Sequence, residues 1–263
     1  MSIRSATSPS VSSSLKKTSW KTRLYEGYVS SGQALGPDRH DTAAQPEHVF
    51  RPRAHHIRSM IARYLPPDRS ARIVDLACGA GAYLYYLRAA GYTNVSGVDV
   101  SPEQVELARR LGISGVRYRD LLAELRETDS GSVDAILMID ILEHLENNEL
   151  FKVLDEVCRV LAHGGACVAH VPNAEGLYGM RVRYSDLTHE RAFAPKSARQ
   201  LFLTIGFNDV ECFEERPVVH GLKSLARRIL WTAGTMGPRL LLTAETAGRG
   251  FILSQNMIVI ARK

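Results

Sequence analysis

Ile73-Val74-Asp75-Leu76-Ala77-Cys78-Gly79-Ala80-Gly81 is the stretch on which the reading of this chain turns. An apolar run carrying one acid passes into a glycine-punctuated turn. Tyr83, Leu84, Leu87 and Ala90 then form one face of a helix that stops at Gly91. Strand, turn and helix make a first βα unit, and the glycines let the backbone approach a ligand closely where the helix begins.

Upstream, Ile57, Met60, Ile61, Tyr64 and Leu65 recur at helical spacing and end at Pro66-Pro67, which predicts a helix over 53–65 lying outside the sheet. Downstream, residues 94–100 read as a second strand. Ser101-Pro102-Glu103 then opens a helix with a cap residue, a proline and a first-turn acid. Strand 3 is short, 115–118. Residues 133–139 are apolar on both faces, as a central parallel strand must be when helices cover both sides of the sheet. Leu150, Val153, Leu154, Val157 and Leu161 form the stripe of a helix expected to stop at Gly164-Gly165, ahead of strand 5 at 166–171.

A loop over 172–194 follows, long enough to be a candidate for function. A helix over 195–205 and strands at 209–214 and 257–261 complete the pattern, with a helical insertion over 216–255 before the last strand. Repeated βα units predict an α/β, doubly wound, mostly parallel sheet that binds ligands at the carboxyl ends of its strands.

The net charge of +5 would hint at nucleic acid, but Arg4, Lys16, Lys17, Lys21 and Arg23 all precede the first acid. Without them, the remaining basic residues equal the 28 acidic ones, so the folded body is balanced and no nucleic-acid partner is expected. Residues 1–45 read as a mostly disordered, basic, Ser-rich tail, and 46–263 as one catalytic domain. The tail has no apolar core of the kind a secretory signal needs, and no apolar run is long enough to span a bilayer. Cys78, Cys158, Cys167 and Cys212 lack metal-type spacing and suit a reducing compartment, so a cytoplasmic protein is expected.

The acids at the strand ends carry the ligand argument. A dinucleotide would place its diphosphate at the first helix N-terminus, where Asp75 would repel it. The same carboxylate suits a ligand presenting an ammonium and a sulfonium. Asp99, ending strand 2, can accept both ribose hydroxyls, a feature shared by either cofactor class. Asp120 after strand 3 is placed to take an adenine amino group, with Leu121 beside it to cover the ring.

Through VDLACGAGAYLYYL (74–87), VSGVDVSPEQVELARRLG (95–112) and VDAILMIDILEHL (133–145), the chain resembles class I S-adenosylmethionine-dependent methyltransferases over about residues 47–215. The resemblance implies a Rossmann-like, seven-stranded sheet whose last strand is antiparallel. It also implies that Asp75, Gly79 and Gly81 hold the methionine end of the cofactor, Asp99 the ribose, and Asp120 with Leu121 the adenine, while Asp140 begins the active-site floor.

Methyl transfer to a hydroxyl requires alignment and removal of a proton. His144 in DILEHL and His189 in RYSDLTHERAF are the general-base candidates, with Tyr184, Asp186 and Glu190 as orienting or substrate-contacting groups. The spacing of Asp140, Glu143 and His144 also resembles the E-x-x-E-H signature of some metal-dependent O-methyltransferases, in which a later histidine completes the site. His189 would then be the fourth ligand for Mg²⁺ or Mn²⁺, with Asp140 departing from the pattern as a shorter acid.

YSDLTHERAFAPKSARQLFLTIGF (184–207), YEGYVSSG (25–32) and AETAGRG (244–250) resemble methyltransferases associated with bacterial polysaccharide or glycolipid synthesis, which implies a sugar or sugar-linked hydroxyl as acceptor. The rivals are a small-molecule O- or N-methyltransferase of secondary metabolism and a non-catalytic protein that binds the cofactor or scaffolds a membrane. In the insertion, Leu222, Leu225, Ala226, Ile229 and Ala233 share a helix face beside Lys223, Arg227 and Arg228. That face fits either a cap packed on the core or a second subunit, or peripheral contact of residues 221–242 with the inner face of an anionic membrane.

Overall fold

The computed structural model describes residues 20–27, 30 and 45–263, in the following order. Helices α1 (Trp20–Glu26), α2 (Pro46–Phe50) and α3 (Ala54–Tyr64) precede β1 (Ile73–Leu76), α4 (Ala82–Ala89), β2 (Val95–Asp99), α5 (Pro102–Arg110), β3 (Val116–Tyr118) and α6 (Leu121–Glu127). Then come β4 (Val133–Ile139), α7 (Asn147–Val160), β5 (Leu161–Pro172), α8 (Gly179–Arg183), α9 (Pro195–Ile205), β6 (Asp209–Glu214), α10 (Leu222–Thr246) and β7 (Asn256–Arg262).

The seven strands form one sheet in the order β3-β2-β1-β4-β5-β7-β6. Strands β1 to β5 pair in parallel, and β7 runs antiparallel to both neighbours. Side-chain alternation explains why helices cover both faces. Val74, Ile136 and Met138 point into one apolar layer with α6, α7 and α9, while Ile73, Ala135 and Leu137 point into the other with α3, α4 and α5. The order of connection reverses between β1 and β4, so a crevice opens beyond their carboxyl ends.

Two elements differ from the sequence reading. Leu161 is not the last residue of a helical stripe; α7 ends at Val160, and Leu161 starts β5 opposite Val133. Gly164-Gly165 therefore forms a bulge within the strand, where a Cβ on Gly165 would lie 2.9 Å from the Ala162 carbonyl oxygen. Within the span read as a tail, Trp20–Glu26 is helical, while residues 1–19 lie outside the described residues.

The chain leaves the sheet after Glu214 for α10, a helix of 25 residues, and rejoins it at Asn256. The apolar face read in this helix does not pack on the core: Leu222, Leu225 and Ile229 are exposed. No helix among the described residues is long and apolar enough to cross a membrane.

Candidate active site

A cavity of about 520 Å³ occupies the crevice at the reversal point, walled by the ends of β1, β2 and β4 together with α1, α2 and the start of α4. Asp75 lies in its wall, 1% exposed, and its Oδ1 has no hydrogen-bond partner. Burial, reinforced by the nearby Asp99 carboxylate, pushes the Asp75 pKa well above the usual carboxylate range. Two non-glycine residues in the left-handed region, Ala77 (φ 62°) and Asp140 (φ 55°), follow β1 and β4 and line the same cavity. Backbone strain of this kind is concentrated where the chain must present groups to a ligand.

Asp99 is held by two backbone donors, Gly79 N–H to Oδ2 and Ser101 N–H to Oδ1, each at 2.8 Å. Burial nevertheless raises its pKa against those two bonds. Asp120 caps α6 by accepting from the Ala123 N–H at 2.9 Å, and both it and Leu121 line the cavity. Gly79 lines it as well, but Gly81 does not. Gly81 is instead required by packing, since at φ 81° a Cβ there would come 2.7 Å from Ile113 Cγ2.

Past the β4 end, the chain forms a short 3₁₀ turn over Leu142–His144 that buries Glu143 and His144. The Thr188 hydroxyl donates to Asp186 Oδ1 at 2.6 Å and, having no second proton, accepts from His144 Nδ1 at 2.6 Å. His144 is thereby fixed as the Nδ1–H tautomer, with Nε2 as its lone-pair nitrogen. Burial, then the neighbouring His189, pushes its pKa down to about 4, so the ring is neutral at pH 7. His189 stands edge-on to it with ring centroids 4.6 Å apart and donates Nδ1–H to the Val182 carbonyl at 3.0 Å.

Glu143, His144 and His189 place one donor atom each within 4.8 Å of one another, and Glu143 Oε2 is buried without a hydrogen-bond partner. Asp140 is not in this cluster, so the four-residue metal set read from sequence is not assembled. Its carboxylate turns to His170 Nδ1 and to Arg53 Nη2, the latter at 3.0 Å. Tyr184 departs from its expected role too: it is 73% exposed, beside Arg183, and does not line the cavity. Asp186 is buried under Thr188 and acts through it, and Glu190 binds Lys21 Nζ at 2.9 Å instead of facing the cavity.

Several residues of the site escaped the sequence reading. From α1, Lys21 donates to the His144 carbonyl at 3.0 Å, and Tyr25 hydrogen-bonds Thr188; both line the cavity. Burial raises the Tyr25 phenol to about 12, keeping it a donor. Their i, i+4 spacing in WKTRLYE was the available signal. From the cavity wall inward runs a row of alternating charge, Arg53, Asp140, His170 and Glu215, and Glu215 also meets His56, whose pKa burial lowers below the ordinary histidine value. His170 is 3% exposed, and burial disfavours its charge, but Asp140 and Glu215 outweigh that and raise its pKa to about 10. Its signal was a lone histidine in the apolar strand ACVAHVP.

Residues 73–165 match the model of a methyltransferase domain. The chain is 35% identical over 88 residues to a ubiquinone biosynthesis O-methyltransferase of Methylocella silvestris, covering 32% of this chain and 34% of that protein. It is 31% identical over 132 residues to the protein of the same name from a Chelativorans species, covering 46% and 51%. The chain thus spans about a third to a half of the length of these curated relatives. A solved S-adenosylmethionine-dependent methyltransferase from Archaeoglobus fulgidus superposes with a TM-score of 0.61 at 22% identity, covering 82% of this chain and 97% of that one. At that identity the likeness establishes the fold: a Rossmann-like, seven-stranded class I methyltransferase sheet.

Proposed function

We propose that this chain binds S-adenosylmethionine in the β1–β4 crevice and transfers its methyl group to an oxygen acceptor. The observation that carries the reading is Asp75 Oδ1, buried in the cavity wall with no partner. An unpaired buried carboxylate oxygen is destabilising by about 1–3 kcal/mol, and a cation placed against it offsets that cost. A diphosphate there would increase it, which argues against a nicotinamide dinucleotide.

In this reading Asp75 and Gly79 hold the methionine end, Asp99 the ribose, and Asp120 with Leu121 the adenine. Bound there, the cofactor supplies an electrophilic methyl group on a sulfonium. His144 Nε2 would take the proton of an acceptor hydroxyl brought up to that methyl group. Thr188, backed by Asp186, holds the ring and stabilises the imidazolium that forms.

A weak base is best matched to an acidic acceptor. A ring whose pKa lies at about 4 removes a proton more readily from a phenol than from a sugar hydroxyl. The relatives named for ubiquinone biosynthesis support an oxygen acceptor of small-molecule type. The sugar-linked acceptor implied by residues 184–207 needs additional acidification of the hydroxyl.

A second reading supplies it. Two histidines that donate Nδ1–H to oxygen, beside a buried unpartnered Glu143 oxygen, fit a Mg²⁺ or Mn²⁺ site. In that case Glu143, His144 and His189 would hold the ion, and the chemistry it would supply is a lower pKa for the acceptor hydroxyl. Calorimetric titration with S-adenosylmethionine, S-adenosylhomocysteine and NAD tests the cofactor, and binding of NAD alone would overturn the proposal. Methyl-transfer assays on phenolic and sugar acceptors, with Mg²⁺ or with chelator, separate the two acceptor readings.

A further inference from the structure

Helix α10 turns its most apolar face outward. The face it turns to the body is mixed: Ser224 and Thr235 are buried there, Trp231, Pro238 and Leu242 are half-buried beside them, and Arg228 and Arg239 are tied to the Pro217 carbonyl and the Glu214 carboxylate. The face it turns outward is apolar. Leu222, Leu225, Ile229, Met236 and Leu240 fall within an arc of about 60° at 100° per residue, and all are exposed, Leu222 by 85% and Leu240 by 67%. Leu230 and Leu241 widen the stripe on one side, where exposed Lys223 and Arg227 border it. Exposed apolar surface of this length is unfavourable in water unless something covers it.

We infer that this face docks on an anionic lipid surface, with the apolar stripe immersed in the interface and Lys223 and Arg227 among the headgroups. Charge decides the occupant. Residues 216–244 contain no acid, and of their five basic side chains Arg216 and Arg239 pair with Glu214 and Arg228 bonds the Pro217 carbonyl, so Lys223 and Arg227 are the two that face outward. A bilayer rich in anionic lipid presents negative charge over the whole plane that this border meets, and long basic side chains reach the headgroups while their stems lie along apolar surface. A second copy seated on the same face would have only Glu245, at the far end of the helix, to answer those cations.

Position supports the same occupant. Strand β6 runs parallel to β5, both being antiparallel to β7, so α10 leaves the sheet at the edge where β1, β2 and β4 end. It rejoins at Asn256, opposite Pro172 on that same edge. A lipid-bound α10 therefore brings the cavity's side of the sheet toward the membrane, where a bilayer-resident acceptor would be met. The docking itself does not depend on the methyl-transfer reading, because no α10 residue lines the cavity.

The test is flotation of the full chain with vesicles of phosphatidylcholine plus phosphatidylglycerol, against phosphatidylcholine alone, alongside sedimentation velocity without lipid. Binding to the anionic vesicles that weakens with salt is expected. Ile229→Glu with Leu240→Glu should abolish it, and Lys223→Gln or Arg227→Gln should each weaken it by roughly fivefold. Thermal melts and cofactor titration of the same variants should match wild type, which separates failure of this inference from failure of the cofactor reading. No binding to anionic vesicles, whether the chain is monomeric or forms a dimer that the double glutamate variant dissociates, overturns the inference.

Discussion

Thr188 bridges Asp186 and His144, donating its hydroxyl to the first and accepting from the second, each at 2.6 Å. The carboxylate reaches the imidazole through that hydroxyl, which is the hydrogen bond that orients the ring, while Tyr25 and His189 pack edge-on against it. Thr188→Val keeps the shape and removes that link. At about 1–2 kcal/mol for a lost buried hydrogen bond, turnover should fall roughly tenfold with the cofactor Kd unchanged, whereas His144→Ala should cost about 10²–10⁴ in turnover. Steady-state kinetics beside calorimetry checks both; a shift in cofactor Kd with normal turnover would show that the bridge serves binding instead.

Asp75 supplies a prediction about protons. Its pKa is raised by burial and by Asp99, and a cation beside it must lower that value again, so at any pH where the carboxyl of the free protein is protonated, cofactor binding should release a proton, and the release should fade as pH rises above that range. Titration in buffers of different ionisation enthalpy measures this release directly. Asp75→Asn should abolish the release and weaken binding by roughly 10–100-fold, as expected for losing a charge-assisted contact of about 1.5–3 kcal/mol.

Stability should depend on pH through the buried charge row. The His170 pKa is about 10 in the folded chain against an ordinary 6.5, so its contribution is complete below pH 6.5 and is lost as pH rises toward 10. Glu215 runs the other way: bonded to His170 and held at about 2, it contributes fully above its ordinary 4.5 and loses that contribution as pH falls. His170→Gln should destabilise the protein by about 3 kcal/mol near neutrality, the lower end for breaking a buried ionic set. It should also flatten the alkaline limb of the stability profile, as read by denaturant melts across pH.

Gly81→Ala should be costly without touching the cavity. A Cβ would lie 2.7 Å from Ile113 Cγ2 on a backbone at φ 81°, combining overpacking with left-handed strain. A loss of about 2–3 kcal/mol, or several degrees in Tm, is expected. An unchanged Tm would mean that the α4–β3 contact yields more easily than its geometry implies.

The fold was legible because its strands announce themselves. Residues 133–139 are apolar throughout, Ser101-Pro102 starts a helix with its hydroxyl accepting from Gln104 N–H, and Asp75 and Asp99 fall at strand ends. The site was legible only where one strand end supplies a whole group. Thr188 matters because a loop 44 residues away meets His144, and Arg53 because it reaches Asp140 across 87 residues; no local pattern encodes either distance. Tyr184 is the opposite case, a chemically attractive residue whose side chain the structure turns to solvent. The α10 stripe was visible as a pattern, but which way it faced depended on Ser224 and Thr235 packing inward.

Helix α1 sits apart from the sheet in sequence, yet Lys21 and Tyr25 wall the cavity and Lys21 ties the helix to Glu190 and to the His144 carbonyl. The border of the folding unit and the border of the working unit thus fall at different residues. A fragment beginning at Gln45 would keep every strand and both apolar layers while opening one side of the pocket to water. In such a fragment a normal melting curve would say nothing about competence, since the part removed stabilises the chemistry and not the sheet.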